Sequence, residues 1–291
     1  MNKIFHVGIS GGKDSTALLL WMVHESGIPM DKIICSFCDT QNEAQETYDQ
    51  IKLLSEKVLP VIWLQTEGFI QLAKRKGRFP STKARFCTQE LKLLPTKKFI
   101  EELSNKYDEI IPVSGVRRNE SFARSQLSEW GNPLESYFGL QEWRPLINWQ
   151  IEDILTIHAK YNIPLNPLYG MGAKRVGCFP CINSSKQELR ILAKSFPQRI
   201  DEIRTWENDF KNLNGISTFF PRSKVPFHFR SKTITTKNGE PVKVCTIDDV
   251  VKWAQTGWRG HGESADTNGL FQFELDHMAP AMCLNQYTAC E

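Results

Sequence analysis

Long apolar stretches are missing from this chain. The longest runs only from Ala17 to Val23, far short of the roughly 20 residues that a membrane-crossing helix needs. The opening MNKIFHVGIS lacks a charged leader, apolar stretch and cleavage site in that order, so no secretory signal is read and a cytoplasmic protein is expected. No internal repeat or low-complexity tract is present. Apolar residues at 41% and charged residues at 24% are ordinary globular usage, which argues against disorder, collagen and a coiled coil. A strong charge of one sign is lacking too. Lys plus Arg number 36 against 33 for Asp plus Glu, a formal +3. That is too mild to require nucleic acid, and it suits a nucleotide or another small anion equally well.

The 291 residues fit an α/β domain of about 200 residues with a smaller appendage. A composition shift after Asn214 places the expected boundary near 215. Residues 1–215 are expected to form the main α/β domain, and residues 216–291 a cysteine-bearing C-terminal extension. Eight cysteines stand at Cys35, Cys38, Cys87, Cys178, Cys181, Cys245, Cys283 and Cys290. In a reducing cytosol they point to metal or catalysis rather than disulfides.

Strand and helix signals alternate through the first half. Strands are expected at Lys3–Ile9, Lys32–Cys38, Pro60–Leu64 and Glu109–Ser114, and helices at Asp14–His24, Glu43–Val58 and Leu93–Tyr107. This order predicts a Rossmann-like, mainly parallel sheet with helices on both faces. Asn119 to Glu142 reads as a loop, Gln150–Tyr161 as a helix and Ser184–Lys211 as one long helix. Ile247–Thr256 is a further helix.

Ser10-Gly11-Gly12-Lys13-Asp14-Ser15 lies between the first strand and the first helix. Two glycines let the backbone turn tightly and approach a ligand. The helix N-terminus offers amides and a favourable dipole to a phosphate. Lys13 adds a point charge, and Ser10 and Ser15 add hydroxyls. The spacing is not that of a Walker A loop, which has four residues between its first glycine and its Gly-Lys pair.

Ser10 to Ser15 resembles the loop of the ATP pyrophosphatases, the PP-loop enzymes of the adenine nucleotide alpha hydrolase-like fold. That resemblance implies ATP cleavage at the α-phosphate, with Ser10, Gly11, Gly12, Lys13, Asp14 and Ser15 around the pyrophosphate end. Asp39, in Cys38-Asp39-Thr40, is implied at the ribose or at Mg²⁺. Three later stretches resemble one branch, the phosphoadenosine phosphosulfate (PAPS) reductase-like proteins. They are Gly115-Val116-Arg117-Arg118-Asn119-Glu120-Ser121 with Arg124, Arg144-Pro145-Leu146-Ile147-Asn148-Trp149, and Asn166-Pro167-Leu168-Tyr169 through Gly177-Cys178-Phe179-Pro180-Cys181. Guanidiniums after a strand end can grip phosphate or sulfate in bidentate fashion, and the resemblance implies that Arg117, Arg118 and Arg124 do so. A solvated basic loop is the alternative.

Cys178 and Cys181 form a C-x-x-C in a Gly/Pro turn, and a closed metal site needs two more ligands. Cys87 stands where iron-sulfur members of the branch carry a cysteine pair, although this chain has one cysteine there. The implied ligand set for a 4Fe-4S cluster is Cys87, Cys178 and Cys181 with Cys283 or Cys290. A four-cysteine zinc site competes with it. Cys35 and Cys38 share the C-x-x-C spacing, but on a strand they face opposite sides.

Three functions follow from the resemblance. One is an ATP pyrophosphatase that adenylates an acceptor or supports sulfur transfer to it, with nucleic acid among the acceptors considered. The second is a sulfonucleotide reductase attacking with Cys290. Such reductases usually carry a degraded phosphate loop and a Glu-Cys-Gly-Leu-His-like tail. Here the loop is intact and the chain ends Thr288-Ala289-Cys290-Glu291, so ATP chemistry is favoured. The third is an ATP- and cluster-binding accessory protein of a nucleic-acid modification or mobile-element system. Two basic stretches bear on nucleic acid: Lys74 to Arg85, and Phe219 to Lys232, where aromatics and cations interleave. Their structural readings are a loop over the site and a small aromatic core under a hairpin. Oligomeric state is left open, a homodimer being the commonest assembly.

Overall fold

The computed structural model describes residues 2–134, 136, 138–214, 218–235 and 238–257. Its first half alternates strictly: β1 (Lys3–Ile9), α1 (Lys13–His24), β2 (Ile33–Asp39), α2 (Gln45–Lys57), β3 (Val61–Gln65), α3 (Phe69–Lys76). A short helix α4 (Phe86–Thr88) and a π-turn (Gln89–Leu93) then lead into α5 (Leu94–Ser104) and β4 (Glu109–Val113). These strands form one parallel sheet in the order β3-β2-β1-β4. β1 is central, with Val7 opposite both Cys35 and Val113.

The two-residue period of the strands sorts their side chains. Val7, Ile9, Cys35, Phe37, Ile111 and Val113 pack with Leu18, Ile51 and Ile154 on one face. Ile4 and Ile110 pack with Ile100 and Leu103 of α5 on the other. Both faces are covered, so the strands read as nearly continuous apolar runs. Cys35 and Cys38 fall on opposite faces, as their spacing predicts. Cys35 is buried, and Cys38 Sγ lies 3.3 Å from Thr96 Oγ1 of α5.

The remaining elements are α6 (Phe122–Ser125), α7 (Ile151–Lys160), α8 (Pro167–Gly170), α9 (Lys186–Ser195), α10 (Pro197–Asn214), the hairpin strands β5 (Lys232–Thr235) and β6 (Pro241–Val244), and α11 (Ile247–Gln255). A second core gathers Phe69, Leu72 and Phe79 with Leu189, Leu192, Ile203, Phe210, Phe219, Phe220, Ile247 and Val250. It draws on both sides of residue 215. Its rings interlock, with Phe79 and Phe210 centroids 4.4 Å apart and Phe69 and Phe219 5.5 Å apart.

Three expectations are corrected. The helix expected over Ser184–Lys211 is two, α9 and α10, because Pro197 has no N–H and pushes Phe196 out of helical geometry. The loop expected over Asn119–Glu142 contains α6. The basic stretch from Lys74 begins inside α3, which ends at Gly77 with φ +66°. No helix among the described residues is long and apolar enough to cross a membrane. Cys283 and Cys290 lie outside the described residues.

Candidate nucleotide site and cysteine cavity

In the strand order β3-β2-β1-β4, successive connections leave to opposite sides between β1 and β4. Open parallel sheets take ligands at such a switch point, outside the carboxyl ends of the strands. The loop after β1 carries Ser10 to Ser15, and the loop after β4 carries Gly115 to Arg117. The two loops touch. A Cβ at Gly115 would lie 2.8 Å from the Asp14 carbonyl oxygen, so only glycine permits this approach.

The phosphate loop is braced from inside and outside. Gly11 has φ +70°, a conformation natural to glycine. Ser10 N–H donates to Ser15 Oγ at 3.2 Å, and Ser15 Oγ donates to the Gly12 carbonyl at 3.0 Å. From α8 and the turn before it, Asn166 Nδ2 donates to the Gly11 carbonyl at 3.2 Å, and the Lys13 N–H donates to Tyr169 Oη at 3.1 Å. His158 of α7 sits between two carbonyls, with Nε2 2.9 Å from Lys13 O and Nδ1 3.0 Å from Ile163 O. No side chain caps α1 at Gly12, and with the Lys13 N–H held by Tyr169 the Asp14 and Ser15 amides are left for a ligand.

Asp14 receives two cations. Lys13 Nζ is 3.0 Å from Oδ2, and Arg117 Nε is 2.6 Å from Oδ1. Arg117 is buried, and its own N–H donates to Glu120 Oε2 at 2.9 Å. The other two arginines turn elsewhere. Arg118 donates to Asn148 and to the Leu127 carbonyl, and Arg124 pairs with Glu120. Asp39, at the carboxyl end of β2, accepts from Tyr48 Oη and from the Gln41 N–H, each at 2.9 Å.

Behind this crevice lies a cavity of about 220 Å³ whose wall includes Cys87, Cys178 and Cys181 with Thr40, Arg85 and Lys92. Three thiols from two distant parts of the sequence therefore share one space. Burial pushes the Cys178 and Cys87 thiols up. Lys92 hydrogen-bonds Cys178, whose negative charge would raise the ammonium above its ordinary value against the opposing effect of burial. Cys178 Sγ also lies 3.7 Å from Glu43 Oε1, which accepts from Thr40 Oγ1 at 2.7 Å. Glu43 Oε2 in turn accepts from Tyr48 Oη at 3.4 Å. Glu43 thus bridges the Asp39 end of the crevice to the cysteines. Among the described residues, no three His, Cys, Asp or Glu side chains converge tightly enough to hold a single metal ion.

Sequence reading missed Lys92, Glu43, His158 and the bracing roles of Asn166 and Tyr169. Lys92 follows Cys87 by little more than a helical turn, a usable signal. The others act from elements that only the fold brings to the loop.

The model of the phosphoadenosine phosphosulfate reductase domain matches residues 5–184. The chain belongs to that family. The match spans well over half of the chain and ends just past Cys181. This reductase-domain protein is 33% identical over 300 residues to an uncharacterized 37.8 kDa protein of Escherichia phage 186, covering 86% of this chain and 87% of that one. It is 30% identical to an uncharacterized Methanocaldococcus jannaschii protein, covering 72% of this chain but 42% of that one. It is 29% identical to an adenosine 5′-phosphosulfate reductase of Sinorhizobium fredii, covering 62% of this chain and 65% of the relative. A crystal structure of Candida auris phosphoadenylyl-sulfate reductase in a phosphate complex aligns with 61% of this chain and 82% of that one, at 18% identity and TM-score 0.48. Family membership supports a nucleotide-binding, sulfonucleotide-reductase-like role.

Proposed function

We propose that this reductase-domain protein binds ATP in the switch-point crevice and transfers AMP to an acceptor, releasing pyrophosphate. The observation that carries this reading is the complete phosphate loop, glycines and hydroxyls included, braced at Gly11 and Lys13 by Asn166, Tyr169 and His158. A site that accepts only a finished sulfonucleotide has no pyrophosphate to cradle. Ser10, Gly11, Gly12, Lys13, Asp14 and Ser15 hold the β- and γ-phosphates, and Asp39 takes the ribose or Mg²⁺. Asp14 is already matched by two cations, so Asp39 is the freer carboxylate. Mg²⁺ carried with ATP would neutralise phosphate charge. An acceptor oxygen attacks the α-phosphorus, its bond to the β-bridging oxygen breaks, and pyrophosphate leaves with the electron pair. Arg117, held beside the phosphate loop by Asp14, would stabilise the charge that develops at the α-phosphate.

Cys87, Cys178 and Cys181 would hold a 4Fe-4S cluster, with Cys283 or Cys290 as fourth ligand. Cluster ligands sit on separate iron atoms, so thiols that share a cavity without converging on one point suit a cluster better than a single zinc ion.

The adenosine 5′-phosphosulfate reductases among the relatives favour a second reading, in which a sulfonucleotide is reduced by a cysteine thiolate. Binding of ATP-Mg, adenosine phosphosulfate and phosphoadenosine phosphosulfate is measured side by side on anaerobically purified protein. Preferential ATP binding with pyrophosphate release upholds the adenylating reading. Preference for a sulfonucleotide overturns it in favour of the reductase.

A further inference from the structure

The segment Phe219 to Lys232 interleaves aromatics with cations, and the fold splits it in two. Phe219 and Phe220 are sealed in the second core, whereas Phe227 is 61% exposed. Phe227 opens the 3-10 turn Phe227–Phe229 just before β5. Two cations flank its ring, Arg230 at 5.6 Å and Lys243 of β6 at 5.2 Å from the centroid.

The surrounding charge is one-sided. Between Thr218 and Thr246 the chain carries Arg222, Lys224, Arg230, Lys232, Lys237 and Lys243 against Glu240 alone. Among the described residues, no carboxylate stands at ion-pair distance from Arg222, Arg230, Lys232 or Lys243. The chain's other basic stretch is the contrast. Lys74 pairs with Asp209, Arg75 with Glu67 and Glu90, and Lys76 with Glu90. Those cations serve the fold, whereas Arg222 and Lys243 are exposed and half-buried Arg230 reaches only the Val225 carbonyl.

We propose that the face formed by Phe227 and hairpin β5–β6 binds single-stranded nucleic acid. The Phe227 ring stacks on a base, and Arg222, Arg230, Lys232 and Lys243 contact the flanking phosphates. An exposed ring among unpaired cations is the combination that unpaired strands require, since their bases are free to stack. A duplex hides its bases, and an acidic peptide or anionic membrane offers no base for the ring to stack on. The face lies outside residues 5–184 and needs nothing from the phosphate loop, so it stands or falls separately from the adenylating reading. Lys224 of the same segment reaches the Ser184 carbonyl in the wall of the cysteine cavity. A strand held on this face therefore runs close to that cavity.

The test is fluorescence anisotropy of labelled oligothymidine and oligouridine of about 12 nucleotides, near one binding-site length. The full chain is used without ATP, over about 50 to about 200 mM salt. The wild type is expected to bind and to weaken steeply with salt. A blunt duplex of equal length should bind more weakly. Phe227→Ala should lose about fivefold to about a hundredfold in affinity, the range of one stacked base. Phe227→Trp should retain binding, with its indole emission quenched by the strand. Arg222→Glu with Lys243→Glu should flatten the salt dependence. Circular dichroism confirms that each variant is folded. Absence of wild-type binding overturns the proposal, and so does unchanged affinity in Phe227→Ala. Equal binding to phosphatidylserine vesicles that is insensitive to Phe227 would make this a general anion-attracting face, and would overturn it too.

Discussion

Arg117 donates from Nε to Asp14 Oδ1 across 2.6 Å, joining the loop after β4 to the phosphate loop after β1. Both side chains are largely removed from solvent, at 7% and 18% exposure. Breaking such a pair from one side leaves a charge without its partner, a loss of up to roughly 3–5 kcal/mol for a buried pair. Arg117→Ala should therefore lower the urea midpoint and abolish ATP binding. The double variant with Asp14→Ala should be less destabilised than the two single losses added together. Additive losses would show that the two residues act independently.

Gly115 offers a subtler probe of the same junction. Its missing Cβ leaves room for the Asp14 carbonyl, which a methyl would approach to 2.8 Å. Gly115→Ala should push the two loops apart, at a cost of about 1–3 kcal/mol in stability. Nucleotide affinity should fall with it, by about tenfold or more. Calorimetric titration with ATP-Mg checks this, and affinity equal to wild type would mean that the loops separate without disturbing the site.

Cys245 is buried and Cys178 half-buried, and only Cys178 opens on the cavity shared with Cys87 and Cys181. Cys245 lies in the second core with Sγ 3.5 Å from the Pro221 carbonyl. Anaerobically purified Cys178→Ser should lose most of its bound iron, while Cys245→Ser should keep it. Iron unchanged in the Cys178 variant would rule out the proposed ligands. Stoichiometric zinc in place of iron in the wild type would favour the single-ion site.

Glu207 of α10 accepts from the Phe219 N–H at 2.9 Å and the Ile247 N–H at 3.1 Å, clamping the second core. Burial pushes its carboxyl up to about 7, with those two donors pulling the other way. The folded state therefore holds more protons than the unfolded state between the ordinary value of 4.5 and about 7. In that window stability falls as pH rises. The contribution of Glu207 is complete below the window and lost above it. Urea unfolding from about pH 5 to about pH 8 should show this decline, and Glu207→Gln should flatten it. An equal slope in the variant would assign the decline to other groups.

The parallel sheet was legible because its strands and helices alternate in regular lengths and carry the matching apolar periods. The phosphate loop was legible because Gly-Gly-Lys-Asp-Ser falls between a strand and a helix. The arginines were only partly legible. Residue type marks Arg117, Arg118 and Arg124 alike, and only the fold turns Arg117 toward Asp14 and the other two toward Asn148 and Glu120. The aromatic-basic segment was ambiguous for a related reason. Composition cannot separate Phe219, which faces the second core, from Phe227, which faces water. Asn166 and His158 carry no local signal for this bracing, because the loop carbonyls they reach lie 155 and 145 residues earlier.

That separation also bears on when the site comes into being. Residues 10–15 leave the ribosome well before Asn166, Tyr169 and His158, which hold their backbone in shape. Domains form as units while synthesis proceeds from the N-terminus. A growing chain thus carries its phosphate loop unsupported until α7 and α8 have emerged and docked. The nascent protein cannot close on a nucleotide before Tyr169 has emerged, and ligand added during translation would report the docking of those helices.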